Sequence, residues 1–367
     1  MNKTLIIAFV TLSLFSALSF QLNASQLPRH GSSSESKSGF NITVLGAKGG
    51  IQDGNLTSFL IAPIGDNNAI ACDAGSIVNG LRVANERGAF KHINVPKDST
   101  DTKIGYILKQ HIKGYLISHA HLDHVLGMII ASPDDSAKPI YGLASTIKAM
   151  QDTHFNWQSW VNFADSGTPP TLNKYNYVEL SPFTDATAVT KAPAVKQALT
   201  GTSMSVTAFP LSHTQDSTAF LIENTTSTET KNTDAVLCFG DTAADSITKS
   251  NKLLTVWQAS AELVKSGGLK AIVIETSYIN NRPDHLLFGH LTPKYLLQEL
   301  HKLEALAGGK GSLAGLPVII SHIKYSLVST KSIGDSIEKT ILKELTAGND
   351  MQVNFIIPEQ GDSWNFN

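Results

Sequence analysis

Seven consecutive residues, Ser118-His119-Ala120-His121-Leu122-Asp123-His124, carry three imidazoles and one carboxylate. Alternate residues of an extended segment project to the same side, so His119 and His121 can hold one metal ion together. Asp123 and His124 come after the turn and face a second ion. Zinc takes imidazole nitrogen and carboxylate oxygen as ligands, and a catalytic site leaves one position open for water. Metal-assisted hydrolysis is the chemistry that such a cluster supports.

The string must sit at the end of a strand. Tyr115-Leu-Ile-Ser118 is a short apolar run leading directly into His119, and Leu122 to Ile130 reads as the start of a helix. Upstream, Phe40 to Leu45 alternates like a strand, and Leu56 to Ala62 and Ala69 to Cys72 read as further strands with Gly and Asn turns between them. Strands resume at Met204 to Phe209, Thr218 to Ile222, Ala235 to Phe239, Ala271 to Glu275, Pro317 to Ser321 and Val353 to Ile357. Leu253 to Lys265 and Thr292 to Ala307 read as helices, the second with Pro293 in its first turn, where proline is tolerated. Two groups of strands with helices between them predict an α/β chain in a four-layer αββα sandwich. Residues 134–200, rich in aromatics, read as a cap-like insertion over the mouth of the site within a domain spanning 39–367.

The first 24 residues have the form of a secretory signal: Lys3, an apolar stretch from Leu5 to Phe20, and small residues near Ala24. Residues 25–38 read as a disordered lead-in. The expected location is the periplasm, or the exterior in a host without one, with no membrane attachment after cleavage. The two cysteines, Cys72 and Cys238, each lie in an apolar run and are read as buried free thiols, although an oxidising compartment would let them pair. The chain has 367 residues and a formal net charge of -2. That balance lacks the basic face used to grip a nucleic-acid polymer, and a small substrate is expected instead.

H-x-H-x-D-H is the metallo-β-lactamase superfamily motif. The longer run from His119 through Leu122, Gly127 and Ser132 to Pro133 resembles the signature of class II cyclic nucleotide phosphodiesterases. The resemblance implies a metallo-β-lactamase fold and a ligand set completed downstream. His213 would join His119 and His121 on the first ion. His322 would join Asp123 and His124 on the second. Asp241 would bridge the two. The implied cofactors are two divalent ions, with zinc favoured by the nitrogen-rich set. The implied substrate is a small 3′,5′-cyclic nucleotide (cAMP, with cGMP as a further candidate), opened to the 5′-monophosphate by a hydroxide shared between the metals. Asp73 would orient a ligand without binding metal. Catalysis is assigned to His290, Glu275 and Asp123, with His290 as general acid held by Glu275. His154, Asn156 and Trp157 are candidate substrate contacts, through stacking of a base and hydrogen bonding; a packed aromatic cap is the alternative. Homodimers occur among the related enzymes.

Three rival readings share parts of the pattern. A tRNA 3′-processing nuclease would use the same ligands but calls for a basic arm that is not evident in the sequence. A β-lactam or lactone hydrolase would lack the Leu287-Phe-Gly-His-Leu-Thr-Pro293 segment. An inert metal-binding module would not need every ligand position filled.

Overall fold

Alternation with a period of two decides the layers. In Ala235–Phe239, Val236 and Cys238 face one way, whereas Ala235, Leu237 and Phe239 face the other, and all five are buried. A strand buried on both faces must lie between two other layers. The computed structural model, which describes residues 38–183, 195–224, 233–329 and 335–367, shows this arrangement throughout.

The first sheet contains β1 (Phe40–Gly46), β2 (Ser58–Pro63), β3 (Ala69–Cys72), β4 (Ile112–Leu116), β5 (Lys138–Gly142) and β6 (Tyr175–Glu179). The second contains β7 (Met204–Leu211), β8 (Ser217–Asn224), β9 (Ala235–Phe239), β10 (Leu269–Glu275), β11 (Pro317–Ser321) and β12 (Asn354–Ile356), with Gln197–Ala198 at its far edge. The chain then returns to the first sheet as β13 (Ser363–Phe366), antiparallel to β1. Among the described residues each sheet has seven strands, and in each a meander of antiparallel pairs passes into parallel pairs: β3-β4-β5-β6 in one, β9-β10-β11-β12 in the other.

Helices cover the outer faces. Against the first sheet lie α1 (Val78–Glu86), α2 (Leu122–Ala131) and α3 (Ala144–Thr153), which bury Leu81, Val125, Met128 and Met150. Against the second lie α4 (Lys252–Lys265), α5 (Pro293–Leu306) and α6 (Ile337–Ala347), which bury Trp257, Leu296, Leu300 and Ile341. Pro293 stands at the first turn of α5, where its missing N–H is not needed, and the Ser336 side chain accepts from Lys339 N to cap α6. A third core between the sheets joins Ile42, Phe59 and Leu116 to Val206, Phe220 and Val273. The four-layer αββα order is therefore as expected.

Two expectations need correction. Among the described residues, the segment read as a cap over 134–200 supplies sheet strands: β5 and β6 are members of the first sheet, and α3 packs on it. Tyr115 of β4 and Tyr175 of β6 both donate to the buried Asp135 Oδ2 at 2.6 and 2.8 Å, while Lys138 pairs with its other oxygen at 2.7 Å. Tyr175, one of the aromatic residues that read as a cap, is thus a tie within the sheet. The proposed lead-in over 25–38 lies outside the described residues except for Ser38, whose hydroxyl donates to Asp234 at 2.7 Å. The signal-like segment 1–24 also lies outside them. Lastly, Cys72 and Cys238 are not free thiols; they form a disulfide that joins β3 to β9 across the inner core. Neither apolar run reveals this, because the pairing depends on how one sheet sits over the other.

The cysteines are 166 residues apart, and in the chain-entropy account a crosslink of that span stabilises by about 4–5 kcal/mol. The Cys72→Ser/Cys238→Ser double variant is expected to lose stability on this scale in denaturant unfolding. A midpoint equal to that of the wild-type protein would show that the bridge contributes nothing.

Candidate metal centre and active site

Most candidate ligands stand just beyond the end of a core strand, and Asp123 and His124 lie in the first turn of α2. His119 and His121 follow β4, His213 follows β7, Asp241 follows β9, Glu275 ends β10, and His322 follows β11. The C-terminal ends of parallel strands in the two sheets open on one side of the sandwich, and the side chains converge there. His119, His121, His213 and Asp241 form one group; Asp123, His124 and His322 form a second; Asp241, His290 and His322 form a third, with ligand atoms in each group within 4.8 Å of one another. Asp241 Oδ2 lies at the centre. It is 3.3 Å from Nε2 of both His124 and His322, 3.7 Å from His213 Nε2 and 3.8 Å from His119 Nε2. Asp241 Oδ1 and His124 Nε2 are buried with no hydrogen-bond partner. Unpartnered buried polar atoms are costly, and a cation between them removes the cost. The residues fit a metal-binding centre.

The outer nitrogens of the imidazoles identify the atom left for metal. His124 Nδ1 lies 2.7 Å from Asp73 Oδ2, and His213 Nδ1 lies 3.0 Å from the Gly289 carbonyl. His322 Nδ1 is 2.9 Å from Ser277 Oγ, whose own proton goes to Glu275 Oε2 at 2.6 Å. His119 Nδ1 is 3.0 Å from Ser118 Oγ, which donates to Asp73. In all four, Nδ1–H is spent on an acceptor, so Nε2 carries the free lone pair. His121 is reversed: its Nδ1 lies 2.9 Å from His119 Nε2, so Nδ1 is the atom it turns to the shared ion.

Electrostatics separate the two groups. Burial pushes His119, His121 and His213 below the ordinary imidazole value, His213 to about 4, so they are neutral and ready to coordinate at neutral pH. Burial acts the same way on His124, but the carboxylates of Asp241 and Asp73 outweigh it and raise its pKa. Burial opposes ionisation of Asp123, yet the close approach of His322, with Nε2 3.1 Å from Asp123 Oδ2, and the neighbouring imidazoles hold it well below the carboxylate range. Asp123 Oδ2 also accepts from Gly50 N at 2.7 Å.

Close packing requires glycine at two points. A Cβ on Gly49 would overlap the His322 ring, and one on Gly75 would overlap the Asp123 carbonyl. Gly49 lies in a short strand paired with Ile323–Lys324 and Gly75 in the bend after β3, both beside the centre.

Asp73 sits as expected beside a ligand, in the left-handed region with φ +52. Its Oδ1 accepts from Ser118 N at 2.8 Å. An Asp73→Asn variant suits that backbone, because asparagine tolerates positive φ, but it sets an amide where His124 needs an acceptor. Metal affinity is expected to fall about 10–100-fold. Competition against a chromogenic chelator measures it, and unchanged affinity would remove Asp73 from the site.

His290 and Glu275 also meet. His290 Nδ1 lies 2.9 Å from Glu275 Oε1, and the carboxylate further accepts from Thr242 N at 2.9 Å and Leu291 N at 3.2 Å. Burial lowers the His290 pKa, but the charges of Glu275 and Asp241 prevail and raise it. These two charges favour the protonated ring of His290.

The candidate substrate contacts are only partly available. His154 is buried, with Nε2 2.8 Å from the Ala120 carbonyl, so it holds the loop between His119 and His121. Asn156 donates to Asp152 O and accepts from Gln158 N and Ser159 N, which closes its own turn. Trp157 is 42% exposed, with its indole N–H on Pro170 O. Reading His154 and Asn156 as substrate contacts is thus corrected: their polar atoms serve the backbone. Ser118 and Ser277 were not singled out from sequence, yet each links a ligand to a carboxylate. A signal was present, since Ser277 lies two residues after Glu275 and so shares its side of the extended chain.

The arrangement has counterparts among known proteins. The chain is 50% identical over 329 residues to a 3′,5′-cyclic-nucleotide phosphodiesterase of Aliivibrio fischeri, covering 89% of this chain and 93% of the relative. The crystal structure of unliganded yeast PDE1 superposes with a TM-score of 0.74 at 25% identity, over 90% of this chain and all of that one. A metallo-β-lactamase fold protein, YhfI of Bacillus subtilis, superposes with a TM-score of 0.55 at 14% identity, over 89% of this chain and all of that one, which speaks to fold alone. The family model described as cAMP phosphodiesterases class-II matches residues 40–361. With its metallo-β-lactamase architecture and this match over most of its length, the chain belongs to the class-II cAMP phosphodiesterases.

Proposed function

We propose that the protein hydrolyses 3′,5′-cyclic nucleotides to nucleoside 5′-monophosphates at this centre. The observation that carries the reading is the meeting of a two-group ligand cluster, with Asp241 at its centre, and a His290 held by Glu275. His119, His121 and His213 would hold one divalent ion, and Asp123, His124 and His322 a second, with Asp241 between them. Zinc suits this imidazole-rich set. Such ions supply Lewis acidity for a phosphoryl oxygen and lower the pKa of water.

The side chains supply the remainder. His290 is anchored through Nδ1, so Nε2–H is the atom that donates to the departing ribose 3′ oxygen. As that proton leaves, the neutral imidazole keeps its Nδ1–H on Glu275, so the ring does not turn. The buried Glu275, fixed by two backbone N–H groups and Ser277, cannot follow the substrate and acts by positioning. Asp123, held by Gly50 N, adds fixed negative charge within the second group.

The test is a panel of cAMP, cGMP and 2′,3′-cyclic AMP with metal-loaded protein, read by chromatography of the products. Turnover of a 3′,5′-cyclic nucleotide to the 5′-monophosphate is expected. Release of the 3′-monophosphate, or no turnover of either 3′,5′ substrate, would overturn the proposal.

We further propose that the chain is exported and cleaved near Ala24. The buried Cys72–Cys238 bridge supports an oxidising compartment. Amino-terminal sequencing of protein from fractionated cells tests this, and an intact Met1 in the cytosolic fraction would refute it.

A further inference from the structure

Phe288 is a bulky aromatic residue in the left-handed region, with φ +50, and it is 55% exposed. Both features are unfavourable: the backbone conformation is strained for a side chain with a Cβ, and the ring is left against water. Such strain persists where the surroundings enforce it, and it clusters at ligand clamps. The surroundings here are the active site. Gly289, the next residue, gives its carbonyl to His213 Nδ1, and a Cβ on it would crowd that nitrogen. His290, the proton donor, follows.

A cationic and aromatic wall leads outward from His290 to this ring. The Tyr278 ring stands edge-on to His290, with centroids 5.8 Å apart. The Arg282 guanidinium lies 3.9 Å from the Tyr278 ring centroid and 5.8 Å from that of Phe288. Arg282 Nε donates to Leu286 O at 2.7 Å, which fixes the guanidinium between the two rings. Among the described residues no carboxylate forms an ion pair with it.

We propose that Phe288 is the platform on which the nucleobase of the cyclic nucleotide stacks, with Arg282 beside it facing the base edge. The proposal rests on the phosphodiesterase reading above and adds the subsite that selects a nucleotide over other cyclic phosphodiesters. A base has a π-face whatever its identity, so the platform favours aromatic bases generally and leaves the choice among them to edge contacts.

The test compares kcat/KM for cAMP with kcat/KM for methyl riboside 3′,5′-cyclic phosphate, which keeps the phosphodiester and lacks the base. In Phe288→Ala the ratio of the two is expected to fall roughly tenfold or more, the loss that removal of an aromatic face from a stacked base brings. Phe288→Tyr should keep the wild-type ratio. Phe288→Gly should lose the ratio while melting no lower than Phe288→Ala, because glycine accepts the positive φ. A Phe288→Ala protein with the wild-type ratio overturns the platform, as does a ratio lost in Trp157→Ala and kept in Phe288→Ala. A wild-type protein that cleaves neither compound would instead sink the phosphodiesterase reading, and this inference with it.

Discussion

Asp241→Asn is expected to yield a folded protein that holds less than one metal ion per chain and has lost phosphodiesterase activity by roughly 10⁴-fold or more, the scale of rate enhancement that an intact metal centre supplies. The argument is one of charge and position. Oδ2 reaches toward the Nε2 atoms of both ligand groups, at 3.3 Å from His124 and His322 and 3.7 Å from His213. Among the described residues of the three groups, only Asp123 carries another negative charge. Removing one of two carboxylates from a buried nest of imidazoles leaves two dications facing mainly neutral ligands. The same substitution deprives His124 of one of the two carboxylates that raise its pKa. Plasma emission spectroscopy for metal content and circular dichroism for fold separate loss of the centre from loss of the protein. A variant with two ions per chain and activity within tenfold of wild type would show that Asp241 does not bridge.

What the sequence reveals of this centre follows from the range of the interactions involved. His119, His121, Asp123 and His124 can be read directly because a strand end and the first turn of α2 place them together locally. His213, Asp241 and His322 are each a single polar residue after an apolar strand, and only the order of a known family makes them ligands. Asp73 lies in the same class. Ser118 and Ser277 are harder to see, since their importance lies in hydrogen bonds to residues up to 45 positions away. The sheet membership of β5 and β6 is hidden for a related reason: Tyr175, one of the aromatic residues of 134–200, satisfies Asp135 within the sheet. His154 misleads in the opposite direction. An imidazole near an aromatic cluster suggests a ligand pocket, whereas this one ties down Ala120 between two ligands. Its contribution to activity would be indirect, through the angle between His119 and His121.

His290→Ala is expected to separate the proton donor from the metal centre. Loss of a positioned general acid costs about 10²–10⁴ in kcat. That cost arises only when the leaving oxygen needs a proton. A ribose 3′-alkoxide needs one; a p-nitrophenolate, already stable as the anion, does not. Hydrolysis of cAMP should therefore fall by about 10²–10⁴-fold in kcat, whereas hydrolysis of bis(p-nitrophenyl) phosphate should fall far less. Metal content should stay near wild type, since the His119, His121 and His213 group and the Asp123, His124 and His322 group are both intact. Glu275→Gln acts on the same step by another route. Burial resists the charge on Glu275, but His290 beside it holds its pKa below the usual carboxylate range, and in return the carboxylate raises the His290 pKa. With glutamine the His290 pKa falls, so the alkaline limb of the cAMP rate profile, where the general acid loses its proton, should move to lower pH while the p-nitrophenyl substrate shows no such shift. Equal losses on both substrates in His290→Ala would show that the residue serves the metal centre or the fold, and the proton for the 3′ oxygen would then have to come from another group.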